Sequence, residues 1–232
     1  MKLRKPPPGA HPDLLYPPYA STVQRAPRQR LVPLPAGAVE QSGPRFNEEV
    51  LYPNHDDMTR QVEGGEAAGQ RIIVTGTVLD ENGDPLPNTL VEVWQCNAAG
   101  RYHHAADDHD APLDPYFRGA ARMLTDADGV YRFTSIRPGA YPWRNHRNAW
   151  RPAHIHFSVF GRTMLERLMT QMYFPGDPLL AYDPIFNSVA SERARERLIS
   201  HFDLDVTQPE WALGYVFDIV LRGPEATPLQ SK

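Results

Sequence analysis

The sequence predicts an all-β protein, a β-sandwich with an extended proline-rich N-terminal arm and one short helix near the C-terminus. Three observations carry that expectation. Short runs rich in β-branched and aromatic residues recur from Arg71 to Arg222, separated by tight-turn signals. Proline supplies 24 of 232 residues, roughly twice its usual ~5% share, which argues against a helical bundle. A single segment has the spacing of an amphipathic helix.

Eleven of the prolines lie between Pro6 and Pro53, so the first fifty residues cannot form long helices or central strands. This arm still carries Leu14, Leu15, Tyr16, Tyr19, Leu31, Val32 and Leu34, apolar residues that a disordered linker usually lacks. It therefore packs on something, either its own domain or a neighbouring subunit. The small polar run QVEGGEAAG, Gln61 to Gly69, ends it, which divides the chain into an arm with connecting loop over residues 1–69 and a domain over 70–232.

RIIVTGTVLD and NTLVEVWQCN flank a turn at Asn82-Gly83, and RMLT and VYRFTSI flank Asp126-Ala127-Asp128-Gly129; both pairs read as hairpin or meander units. After Pro152 the runs AHIHFSVF, LMTQMYF and GYVFDIVLR add strands, for about seven in all. The helix is SERARERLISHF from Ser191, with a serine cap and Ala194, Leu198, Ile199 and Phe202 on one face.

A formal charge of −4, from 24 basic and 28 acidic residues, leaves no basic field for a phosphate backbone, so no nucleic-acid partner is expected. No apolar run of signal-peptide length follows MKLRKPPPGAH, and nothing approaches the ~18 apolar residues of a membrane span. A cytoplasmic chain without a membrane partner is expected. The single cysteine, Cys96, excludes an intrachain disulfide and thiolate clusters, so any metal must use nitrogen and oxygen ligands.

His154 and His156 stand two apart on a strand and so share a face, from which both imidazoles can reach one ion. Such a pair is often just two polar residues on the solvent side. Here the flanks Pro152, Ala153, Phe157 and Val159 are apolar, and two histidines facing a core need partners. The other ligands decide the chemistry. Residues 157–161 hold no carboxylate, the first acid is Glu166, and no acid stands out to complete a facial triad. Tyrosines are nearby instead: Tyr102 after Gly100-Arg101, and Tyr141 in the loop Pro138 to Trp143, thirteen residues before His154. Ionising one tyrosine at pH 7 costs roughly 4 kcal/mol and two cost about 8. Structural Zn(II) yields about 10–16 kcal/mol, and Fe(III) has a stronger preference for anionic oxygen. Two phenolates point to Fe(III).

The runs LPNTLVEVWQCNAAGRYHH, APLDPYFRGAARMLTDADGVYRFTSIRPGAYPWRN and WRPAHIHFSVFG closely resemble the β subunits of the protocatechuate 3,4-dioxygenases, a branch of the intradiol ring-cleaving family. The likeness extends from PPYASTVQRAPRQRLVPLP through QMYFPGDPL to FDIVLRG. It implies a β-sandwich of the intradiol dioxygenase type. It also implies one non-haem Fe(III) per chain, held by Tyr102, Tyr141, His154 and His156, with Tyr141 the labile ligand and the base for a substrate proton. Arg151 would face a small aromatic diol that O2 cleaves between its hydroxyl-bearing carbons, taking protocatechuate to 3-carboxy-cis,cis-muconate. Tyr19, Trp143, Gln171 and Ile185 would wall the pocket. An α subunit of the same fold would supply part of the site.

Two features depart from a simple match. His103-His104 and the following AADDHD occupy a stretch where basic residues are expected, and with His109 they read as solvated loop side chains. Asp126-x-Asp128-Gly129 reads as a turn, because Arg137 occupies the twelfth position, where a calcium loop has glutamate. A catechol or hydroxyquinol 1,2-dioxygenase would share the iron site but carry a helical N-terminal region, which the proline-rich arm disfavours. A non-catalytic sandwich subunit would lack one of the four ligands, and all four are present.

Overall fold

Arg71–Leu79 (β1) buries Ile72, Ile73, Val74, Gly76 and Val78, so both its faces are covered and it lies inside a sheet. The computed structural model describes residues 4–32, 51, 55–161 and 167–230; arm residues 33–50 and 52–54, with Leu34, and Glu166 lie outside the described residues. β1 pairs antiparallel with Val130–Ile136 (β4) on one edge. On the other it runs parallel to Ala212–Val216 (β10) and then to Ile219–Val220 (β11), and His201–Gln208 (β9) closes the sheet beside β10. The second sheet is antiparallel throughout, in the order Ala120–Leu124 (β3), Leu90–Trp94 (β2), His154–Phe160 (β7) and Arg167–Tyr173 (β8). Ile72, Val74 and Phe133 of the first sheet join Val91, Val93, Ile155 and Phe157 of the second in one apolar core. The result is an all-β sandwich.

Neither expected hairpin forms. β1 and β2 stand in opposite sheets, and so do β3 and β4. Each tight turn is real: Gly83 has φ 87°, and Asp126 Oδ1 accepts from the N–H groups of Asp128 and Val130 with Gly129 at φ 73°. Each marks a crossing from one sheet to the other. Turn chemistry is local, whereas pairing depends on which sheet takes up the strand's apolar face.

Eleven strands form among the described residues, more than the pattern revealed. Tyr141–Pro142 (β5) and Trp150–Arg151 (β6) are too short to show a period, yet they pair with each other. The helix from Ser191 is also shorter than expected, only Glu192–Glu196 (α3), capped by Ser191 Oγ accepting from the Ala194 N–H. Leu198 is buried, but Phe202 lies on β9 and is 45% exposed. Pairing with β10 displaces the last helical turns, because a short isolated helix is marginal without a packed face. Two further helices, Thr22–Arg25 (α1) and Pro184–Asn187 (α2), are single turns.

The described part of the arm lies on its own domain. The Ala20 N–H donates to Asn145 O, and the Ser191 N–H donates to Gly9 O. Leu14, Leu15, Val23, Leu31 and Val32 remain exposed. No helix among the described residues is long and apolar enough to cross a membrane.

β7 is buried on both faces for two different reasons. Ile155, Phe157 and Val159 enter the core. By strand alternation His154 and His156 point the other way, beneath loops, so they do not face the apolar core as the flanking residues led us to expect.

Candidate functional site

The strands place the histidines between fixed neighbours. Tyr173 and Gln171 of β8 lie directly across from His154 and His156, and Trp94 of β2 stacks on His156 with ring centroids 4.8 Å apart. The phenols arrive on two loops locked backbone to backbone. Asn97 shapes the first: its Oδ1 accepts from the Ala99 and Arg101 N–H groups, and its carbonyl accepts from the Gly139 N–H of the second. Gly100 has φ 82° and sits where a Cβ would collide with the Ala140 carbonyl oxygen. That close approach lets Tyr102 and Tyr141 meet edge to face at 5.4 Å. The β5–β6 pair then sets Tyr141 opposite Arg151.

Tyr102 Oη lies 3.1 Å from His156 Nε2, and Tyr141 Oη lies 3.3 Å from His154 Nε2. On its other side His154 Nδ1 is 2.7 Å from Pro152 O, a pure acceptor. The proton must sit on Nδ1, so Nε2 presents a lone pair. His156 Nδ1 stands between Gln230 Oε1 at 3.2 Å and Gln171 Nε2 at 3.3 Å, an acceptor and a donor that favour opposite tautomers. Burial, reinforced by the Arg151 charge, holds His154 well below the usual imidazole range and His156 at about 3, so both rings are neutral. Burial likewise pushes both phenols up, Tyr102 well up, although Arg151 partly offsets the shift at Tyr141. Two neutral nitrogens and two protonated phenol oxygens therefore converge.

Arg151, 2% exposed, is held on every side. Its Nε and Nη2 donate to Asp183 Oδ1 and Oδ2 at 3.1 and 2.8 Å, and Nη2 also donates to Gln171 Oε1 at 2.7 Å and Tyr173 Oη at 3.0 Å. Nη1 is left to face His154 Nε2 at 3.0 Å and Tyr141 Oη at 3.4 Å. Burial opposes both charges of the pair. Their attraction outweighs it, keeping the guanidinium charged and holding the Asp183 carboxyl below the usual carboxylate range.

A cavity of about 780 Å³ opens beside these groups, with Trp94, Tyr102, Tyr141, Trp143 and His156 in its wall. Trp143 also packs on Tyr19 at 5.1 Å and under the Arg151 guanidinium at 5.3 Å. Tyr19, Gln171 and Ile185 do not line this cavity: Tyr19 backs Trp143, Gln171 reaches His156 Nδ1 at 3.3 Å, and Ile185 is buried on α2. His104, Asp107, Asp108, His109 and Asp110 do line it, so the loop read as solvated borders the site. Asp107 also accepts from the Tyr102 N–H at 2.7 Å. A second cavity of about 860 Å³, between Tyr16, His146, Arg147 and Tyr182, holds none of the four donors.

Four residues of the site went unread in the sequence: Trp94, seen only as part of a strand, with Tyr173, Asp183 and Gln230. Tyr173 had a signal, since Gln171-x-Tyr173 repeats the spacing of His154-x-His156 on the paired strand. Asp183 reads as a turn or cap residue before Pro184, and Gln230 lies in a tail with no pattern.

Sequence models of two families match the chain. One, described as dioxygenase, matches residues 41–223; the other, described as protocatechuate 3,4-dioxygenase beta subunit N terminal, matches residues 4–36. The chain belongs to the intradiol dioxygenase family. Within this family it is 59% identical over 222 residues to the protocatechuate 3,4-dioxygenase beta chain of Burkholderia cepacia, covering 95% of this chain and 94% of that one. To the alpha chain from the same organism it is 30% identical over 172 residues, covering 73% and 81%. Among solved intradiol dioxygenases, catechol 1,2-dioxygenase from Pseudomonas arvilla C-1 superposes with a TM-score of 0.53 at 26% identity, covering 72% of this chain and 55% of that one.

Proposed function

We propose that this chain is the iron-binding β subunit of a cytoplasmic enzyme that cleaves protocatechuate with O2 to 3-carboxy-cis,cis-muconate. The observation that carries the reading is the donor set, two neutral imidazoles whose Nε2 atoms face two phenol hydroxyls. Among the described residues no three His, Cys, Asp or Glu side chains gather as a metal site, so a cation here must draw on the phenols. That donor set fits Fe(III), whose hard charge favours phenolate. Tyr102, Tyr141, His154 and His156 would hold one ferric ion per chain. When bound, the ion would withdraw electron density from a chelated aromatic diol and so let its ring carbon react with O2.

The chain's own residues do the rest. Tyr141 lies in the cavity wall within reach of Arg151 Nη1, which stabilises its anionic form; ionised as a metal ligand, it would be the base for one phenolic proton of the substrate. Arg151 stands behind the cavity wall, where Nη1 is directed at Tyr141 Oη and His154 Nε2, and from there its charge would stabilise negative charge that develops on a diol bound beside them. Asp183 balances the guanidinium, so Arg151 can stand beside a bound cation without net repulsion. Trp143 offers the ring an apolar wall. The acidic residues Asp107, Asp108 and Asp110 disfavour a substrate carboxylate, with Arg144 the one Lys or Arg among the described residues of that wall. This supports a partner chain of the same fold, like the alpha chain of the relative, that completes the pocket.

Purified protein with its partner is expected to be red from tyrosinate-to-Fe(III) charge transfer and to consume O2 with protocatechuate. A preparation that stays colourless and iron-free after ferric reconstitution overturns the reading.

A further inference from the structure

Residues 226–230, beyond the 41–223 span that matches the dioxygenase family, pass from β11, where the Thr227 N–H donates to Val220 O, to the outer edge of β8. Ala226 and Thr227 are buried, Thr170 Oγ1 donates to Pro228 O at 2.8 Å, and the Gln230 N–H donates to Met169 O at 2.6 Å. This strap delivers Gln230 Oε1 to within 3.2 Å of His156 Nδ1. Gln171 Nε2 approaches the same nitrogen at 3.3 Å.

The two amides make opposite demands on the ring. Gln171 is fixed in orientation because its Oε1 accepts from both Arg151 Nη2 and Tyr173 Oη at 2.7 Å. Its Nε2 can only donate, which requires a bare Nδ1 and would move the ring proton to Nε2. Gln230 presents an oxygen and requires the proton on Nδ1. Only that second tautomer leaves a lone pair on Nε2, the atom that faces Tyr102 Oη.

We propose that Gln230, at the end of the C-terminal strap, is a positioning residue that holds the His156 proton on Nδ1 and thereby keeps Nε2 free to bind metal. The inference rests on reading His156 as an iron ligand. An acceptor behind a ligating imidazole fixes its tautomer and raises its basicity, and removing such an acceptor typically weakens metal binding about 10–100-fold.

The test uses the iron-loaded protein in its native assembly, comparing Gln230→Ala, Gln230→Glu and, as a control on the strap, Leu229→Ala, whose side chain is 42% exposed. Gln230→Ala is expected to lose iron to a chelator about 10–100-fold faster and to shift the charge-transfer band. Gln230→Glu keeps an oxygen acceptor and is expected to restore retention, while Leu229→Ala behaves as wild type. The proposal is overturned if Gln230→Ala matches wild type in both readouts, if Gln230→Glu fails to rescue it, or if Leu229→Ala loses iron equally. Wild-type protein that takes up no iron overturns the iron reading and this role together, a result visible before any variant is made.

Discussion

Arg151 is a full charge taken out of water, which is tolerable only because each of its nitrogens meets a protein acceptor. Asp183 is the partner that matters most, since it supplies both a compensating charge and two hydrogen bonds. Asp183→Asn should cost about 3–5 kcal/mol, because breaking a buried pair strands the remaining charge. For a chain of this size that corresponds to a melting temperature lower by roughly 10 °C, readable by calorimetry. The pH dependence has a definite sign. Arg151 holds the Asp183 carboxyl below its ordinary value near ~3.9, so the folded state binds this proton less readily than the unfolded chain. The stabilisation is complete above that ordinary value and is lost as pH falls through the lowered one. The gap between wild type and Asp183→Asn should therefore narrow on acidification.

At the scale of elements, β7 joins core to chemistry. Phe157 packs on Tyr131, Phe133 and Phe217 with ring centroids 5.7, 6.2 and 5.3 Å away, while its neighbours on either side are the buried His156 and Ser158. Phe157→Ala should cost about 3–5 kcal/mol through the cavity it leaves. It should also speed iron loss, because the strand that holds His156 loses its anchor; chelator competition measures that loss beside the fall in melting temperature. The alternation of β7 was legible in the sequence, and it put both histidines on one face correctly. Its burial was not legible, because the cover on the histidine face comes from loops and from a tail far along the chain. The C-terminal end of α3 failed for a related reason: Ala194, Leu198 and Phe202 have helical spacing, but Phe202 belongs to a strand whose partner, β10, lies further on.

At the scale of the whole molecule, the described part of the arm leaves apolar side chains open. It lies on its own domain through Gly9, Tyr19 and Ala20, yet Leu14 and Leu15 are 51% and 54% exposed. Replacing both with Asp should leave the melting temperature of the isolated chain unchanged while weakening its association with the partner, as sedimentation would report. The sequence by itself determined the class of structure, the turn positions, and the donor types of the four side chains proposed to hold iron, because periodicity, turn chemistry and donor type are properties of a few adjacent residues. Tertiary structure alone decided that the apparent hairpins are sheet crossings, that Gly100 lets Tyr102 reach Tyr141, and that Asp183 and Gln230 reach Arg151 and His156 from 32 and 74 residues away. Those contacts depend on which distant segments close against each other, and no local pattern records the closure of a long loop.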